Sequence, residues 1–174
     1  MRYVVTGLGR SGTSMMMHCL HLGGMECVFD PDYWPYDRQF NPDGYYEVQG
    51  DVNLDDPFYD NKVVKRGIRN VLCSHPLTAI LMLRNQQAVL DSRKRIGITT
   101  DGLDNPLRFG ECNARAYAEL ILQKYTVVCG HYETIVANPL ASFQALKEKF
   151  GLPIDPEAAA SGVRLAPIRE SANN

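Results

Sequence analysis

One octet constrains this chain more than any other feature: Gly7-Leu8-Gly9-Arg10-Ser11-Gly12-Thr13-Ser14. It follows Arg2 to Thr6, a β-branched and aromatic run that reads as a short buried strand stopped by Gly7. It leads into Thr13 to Leu22, where Met15, Met16, Cys19, Leu20 and Leu22 form an apolar helical face and Gly23-Gly24 ends the helix. A strand, a glycine-rich loop and a helix in this order turn successive backbone N–H groups toward one point. The positive end of the helix faces the same point. Arg10 adds a permanent charge there, and Ser11, Thr13 and Ser14 add hydroxyl donors.

The rest of the chain continues the alternation of strands and helices. Lys62 to Lys65 is a candidate strand. Leu77 to Leu83 is a stronger one, because Ile80-Leu81-Met82-Leu83 is a continuous apolar run suited to a strand covered on both faces. Gln86 to Ile96 reads as a helix stopped by Gly97, and Asn105 to Lys124 as a long helix with Pro106 in its first turn. Tyr125 to Cys129 reads as another buried strand. Leu140 to Phe150 reads as an amphipathic helix with Phe143, Leu146 and Phe150 on one stripe. Phe29 to Asp60, rich in Pro, Asp, Asn and Tyr, reads as loop with a short helix near Asp51 to Asp55. The expected fold is α/β, a P-loop-type three-layer arrangement with a mainly parallel sheet flanked by helices. At 174 residues the chain is expected to form one domain over 1–170, with 29–60 as an inserted lid or acceptor segment and 171–174 as a frayed tail.

Charge narrows the function classes. There are 18 Lys and Arg against 20 Asp and Glu, so a nucleic-acid binder, which is usually strongly basic, is not expected. No apolar run approaches the roughly 18 residues of a membrane span, so no membrane partner is expected. Five cysteines at 19, 27, 73, 112 and 129 show no C-x-x-C spacing, which argues for reduced thiols in a cytoplasm and against a zinc ribbon. The charges are segregated. Residues 26–60 carry ten acids and one base, whereas residues 62–95 carry eight bases and one acid. The first block is a candidate lid and the second a candidate anion site, or the two are solvated faces of opposite sign.

The octet departs from an ATP-binding loop. The lysine expected after the last glycine is Thr13, and the cation stands earlier, at Arg10. The strand-end aspartate that would hold Mg²⁺ is also missing: Leu77 to Leu83 ends in Arg84, and Tyr125 to Cys129 ends in Gly130-His131. No metal is therefore expected. A site with cations in place of a carboxylate suits a different donor.

At these residues the sequence resembles the PAPS-dependent sulfotransferases of bacterial type. Arg10-Ser11-Gly12-Thr13-Ser14 matches their phosphosulfate loop, and Arg84 to Ser92 matches their strand-end Arg with a Ser eight positions on. Asn41 to Glu47, Val64 to Arg69 and Tyr132-Glu133-Thr134 ahead of Phe143 to Pro153 look similar as well, so the resemblance spans roughly residues 2 to 153. Family members are usually longer, and Asn85-Gln86 stands where they often have an acidic or proline-containing turn.

The resemblance implies a donor, PAPS, leaving PAP as product. It implies that Gly9, Arg10, Ser11, Gly12, Thr13 and Ser14 hold the 5′ side of the donor, and that Arg84 and Ser92 bind its 3′-phosphate. Lys65 and Arg69 resemble the family's basic stretch, and Tyr132 resembles a tyrosine near the adenine. Arg84 has its own logic, since a guanidinium at the C-terminal end of a parallel strand projects into the ligand crevice.

For the base, Glu47 is the first candidate, after the Gly44-Tyr45-Tyr46 turn. His18 and His21, three apart on the first helix, can face an acceptor, form a weak metal pair or simply pack, and Asp51 is a further candidate. Residues 26–60 also hold nine of the chain's 16 aromatics, Trp34 among them. An acid-rich, aromatic stretch favours a small or carbohydrate-like acceptor that is neutral or cationic. Two rival readings remain: a P-loop nucleotide or nucleoside kinase, and a non-catalytic protein that binds PAP or a nucleotide.

Overall fold

A computed structural model describes residues 1–33, 41, 44–50 and 52–163. Its centre is a sheet of five strands, all parallel, in the order β2-β3-β1-β4-β5. The strands are β1 (Arg2–Gly7), β2 (Glu26–Val28), β3 (Lys62–Lys65), β4 (Leu77–Leu83) and β5 (Thr126–His131). The helices are α1 (Thr13–Leu22), α2 (Gln86–Arg95), α3 (Pro106–Leu122), α4 (Tyr132–Ala137), α5 (Pro139–Phe150) and α6 (Pro156–Ser161).

Period-two alternation explains the layers. Tyr3, Val5, Val63, Ile80, Met82 and Val128 face one side, where they meet Met16, Met17, Cys19 and Leu20 of α1, Ile135 of α4, Phe143 and Leu146 of α5 and Ala159 of α6. Val4, Val64, Leu77, Ala79 and Leu81 face the other, against Ala116 and Leu120 of α3 together with Leu54, Val71 and Tyr125. A parallel sheet needs both faces covered, which is why its strands read as continuous apolar runs. The three-layer α/β fold expected from the sequence is present.

Several boundaries move, each for a local reason. The helix expected near Asp51 to Asp55 is absent from the described part of that segment. A turn passes through Leu54 and Asp55, and a 3-10 turn follows at Pro57–Tyr59. Asp56 starts that turn by accepting from the Phe58 N–H at 2.8 Å. Strand β5 runs on to His131, because its ladder with β4 continues through Met82↔Gly130 and Leu83↔His131. Asn105 caps α3 rather than joining it, its side chain accepting from the N–H groups of Leu107 and Arg108. Strand β2 and helix α4 carry no sequence signal of their own, and α6 carries only its start, the Asp155 cap with Pro156 in the first turn. They are three to six residues long and are held by tertiary packing. Trp34, Tyr36, Phe40, Asp51 and the tail lie outside the described residues. Among the described residues no helix is long and apolar enough to cross a membrane. All five cysteines are free thiols, and burial pushes the Cys27 thiol up to about 12.

Phe143 is fully buried where α5 meets the sheet. Phe143→Ala is expected to cost about 3–5 kcal/mol, the range for emptying such a site. A urea unfolding curve measures it.

Candidate functional site

Three strand ends define the site. Gly7 pairs with Met82, and Met82 pairs with Gly130, so β1, β4 and β5 end in register. β1 leads to α1 on one side of the order, while β4 leads to α2 and onward to β5 on the other. The chain thus diverges at the C-terminal ends of β1 and β4, where open parallel sheets form a ligand crevice.

The loop from β1 to α1 is shaped by close approach. Its turn closes with the Ser11 N–H donating to the Leu8 carbonyl at 3.0 Å. Gly12 has φ 100°, and a Cβ there would fall 2.5 Å from Cδ2 of Tyr132. Only glycine meets both conditions. Gly12 is also the cap residue of α1 and provides no side chain to its first-turn N–H groups. The Ser11 side chain is buried, and its Oγ has no hydrogen-bond partner among the described residues.

Arg10 joins the two motifs. Its Nε donates to Ser92 Oγ at 2.9 Å, and its carbonyl accepts from Arg84 Nη1 at 3.1 Å. Arg10 has φ 76°, a left-handed backbone that costs a non-glycine residue about 1–2 kcal/mol. The two hydrogen bonds oppose that cost. The Arg84 guanidinium lies 4.1 Å from the centroid of the Tyr132 ring, so Tyr132 contacts both Gly12 and Arg84.

A second network adjoins the loop through Ser14. Lys65 at the end of β3 is buried, and its ammonium reaches Ser14 Oγ at 3.0 Å, Glu47 Oε1 at 2.7 Å and the Tyr45 carbonyl. Ser14 in turn donates to the Tyr45 carbonyl at 3.1 Å. Burial pulls the Lys65 ammonium below the usual lysine range, and Arg10 pulls in the same direction. The Glu47 carboxylate opposes the shift but does not cancel it.

The sequence-predicted residues therefore fall into groups. Arg10, Ser92, Arg84, Gly12 and Tyr132 converge directly, and Ser14, Lys65 and Glu47 form the adjoining network. Thr13 opens α1. Arg69 is exposed in a 3-10 turn after β3. His18 and His21 do not pair. His18 Nδ1 shares a hydrogen bond of 2.9 Å with the Tyr46 hydroxyl, while His21 is exposed and sits edge-on to Phe29. Among the described residues, no three His, Cys, Asp or Glu side chains gather at one point.

Sequence reasoning missed Arg93. Its guanidinium is buried, ion-paired with Asp101 and bonded to the Thr99 carbonyl at 2.8 Å. Its Nη1 lies 3.4 Å from where a Cβ on Gly9 would stand. Within the run Arg93-Lys94-Arg95, charge alone does not single it out. Once α2 is packed, Arg93 shares a buried stripe with Val89 and Ser92, a relation that the polar residues of this helix do not announce in the sequence.

A concavity of about 360 Å³ opens at the other end of the strands, lined by Met1, Arg2, Pro57, Asp60, His75 and Pro76. It lies at the N-terminal edge of the sheet and holds none of the converging residues. Comparison with known proteins finds no matching family model, no matching curated protein and no matching solved structure.

The Lys65 shift has a definite sign. The folded protein gives up this proton more readily than the unfolded chain, whose lysine titrates near 10.5. Between the lowered value and 10.5 the unfolded state binds more protons, so this group's contribution to stability rises with pH. The stability difference between the native chain and Lys65→Met is expected to shift in favour of the native chain as pH approaches 10.5. Urea midpoints across an alkaline pH series check it.

Proposed function

We propose that this chain is a sulfotransferase that moves a sulfuryl group from PAPS to a hydroxyl or amine of a small or carbohydrate-like acceptor. The observation that carries the reading is the Arg10–Ser92 hydrogen bond, with Arg84 on the Arg10 carbonyl. Two motifs 82 residues apart meet at one point, and both present cations to it. A donor carrying phosphates at both its 5′ and 3′ positions fits two adjacent anion ligands better than ATP does. Charged, forked contacts of this kind favour phosphate oxygens.

In this reading the loop N–H groups, Ser11 and Arg10 hold the 5′ phosphosulfate, and Arg84 with Ser92 holds the 3′-phosphate. Gly9 lets the donor approach the backbone, and Thr13 and Ser14 supply hydroxyls from the first helical turn. Tyr132 offers an aromatic face beside the adenine. The acceptor oxygen or nitrogen forms a bond to sulfur as the bond from sulfur to the bridging phosphate oxygen breaks. The electron pair of the breaking bond stays with PAP, and Arg10 and Lys65 stabilise that developing charge. Glu47 takes the acceptor's proton, with the Lys65 ammonium 2.7 Å away orienting its carboxylate. Arg69 adds positive charge at the rim, and His18, held by Tyr46, is the second candidate for the proton.

Binding tests the donor. PAP is expected to bind more tightly than ADP, which lacks a 3′-phosphate. Arg84→Ala is expected to weaken PAP about tenfold or more, since charged hydrogen bonds contribute about 1.5–3 kcal/mol each. ADP should lose less, because for it only the support of the Arg10 carbonyl is removed. Calorimetric titration of PAP, ADP and ATP into both proteins decides the matter, and equal losses for PAP and ADP would sink the assignment.

Turnover tests Arg10. Arg10→Ala is expected to lower kcat on the scale of about 100-fold, typical of losing a transition-state donor, with a smaller loss in PAP affinity. Transfer of labelled sulfate to a panel of neutral and cationic acceptors measures it. A kcat surviving within a few-fold removes Arg10 from the leaving oxygen.

A further inference from the structure

Arg93 is only 7% exposed, yet its guanidinium is used only in part. Nε donates to the Thr99 carbonyl at 2.8 Å, and Nη2 pairs with the Asp101 carboxylate. The Thr99 hydroxyl donates to the other Asp101 oxygen at 2.6 Å, so that carboxylate is itself held. Nη1 donates to no acceptor among the described residues, and it is not sealed from solvent. The occupied nitrogens fix the guanidinium plane, and Nη1 is left with its N–H groups to give.

Nη1 lies beside Gly9. It stands 3.4 Å from where a Cβ on Gly9 would be, and beyond the neighbouring residues of the loop no other atom comes within 4 Å of that point. Gly9 is exposed and does not have a positive φ, so its conformation does not call for glycine. A side chain there would cover Nη1. One residue earlier on α2, Ser92 Oγ accepts from Arg10 Nε at 2.9 Å. Consecutive residues of α2 thus meet consecutive residues of the loop, Arg93 at Gly9 and Ser92 at Arg10.

We propose that Arg93 is a further phosphate ligand of this site, its Nη1 donating to an oxygen of the nucleotide's 3′-phosphate beside Gly9 and Ser92. The proposal rests on the sulfotransferase reading for the identity of the nucleotide and adds a residue that reading does not use. A guanidinium already held by two partners loses little freedom when it takes a third. Its buried charge acts through less water than those of the exposed Lys94 and Arg95 beside it. Asp101 offsets part of that charge, but its side chain is 64% exposed and water screens it.

Calorimetric titration of PAP and ADP into the native chain and four variants tests the assignment. Arg93→Gln is expected to raise the PAP dissociation constant about tenfold or more, the scale of losing one charged hydrogen bond, and to change ADP much less. Gly9→Val keeps the buried ion pair and covers Nη1, so it reads the same contact even if Arg93→Gln fails to fold. It should weaken PAP similarly, and the double variant should lose little beyond the larger single loss, because both changes remove one contact. Asp101→Asn removes the ion pair and leaves Nη1 in place, so PAP should bind it nearly as it binds the native chain. A loss there matching that of Arg93→Gln makes Arg93 a support for residues 99–101 and overturns the proposal. Equal losses for PAP and ADP, or fully additive losses in the double variant, overturn it as well. PAP binding indifferent to Arg93→Gln and Gly9→Val overturns this inference alone, whereas a native chain that binds neither nucleotide overturns the sulfotransferase reading and this inference with it.

Discussion

The site depends on how tightly β1, β4 and β5 are drawn together at Met82. A Cβ on Gly7 would fall 2.6 Å from the Met82 carbonyl, and a Cβ on Gly130 would fall 2.8 Å from the Met82 sulfur. Two glycines thus let three strand ends close around one methionine. The residues that follow, Arg84 after β4 and Tyr132 after β5, are thereby delivered to the loop that follows β1. A larger residue at Gly7 would press on the Met82 backbone and move a strand end, whereas one at Gly130 would first displace the Met82 side chain.

Given that convergence, like charges must coexist. Arg10 and Arg84 approach through a backbone carbonyl rather than through their guanidinium groups. The Arg10 carbonyl accepts from Arg84, and the Tyr132 ring takes up one face of the Arg84 guanidinium. Arg10 accepts a left-handed backbone to reach this position. Strain of this kind persists only where the surroundings over-determine it, and it is commoner where a ligand is held. Lys65 follows the same logic one strand away. Its burial is tolerated because Glu47, Ser14 and the Tyr45 carbonyl surround its ammonium, yet desolvation still wins in setting its proton affinity.

The sequence by itself determined the layers and the loop. Continuous apolar runs fix which strands are covered on both faces, and the bounds of α1, β3 and β4 follow from local composition alone. Arg10 and Ser11 are legible because backbone chemistry requires glycines around them, and Arg84 because a cation ends an apolar strand. Only the tertiary structure decided how these parts meet. Strand order places β4 beside β1 and so brings Ser92 to Arg10. The pairing of Lys65 with Glu47 spans a segment with no periodicity to read. Arg93 looks like its neighbours Lys94 and Arg95 until the helix is packed, and β2 and α4 exist because neighbouring elements stabilise segments too short to hold themselves. Local propensity acts over one element at a time, whereas a binding site is made by contacts between distant elements, and strand order and packing set those contacts.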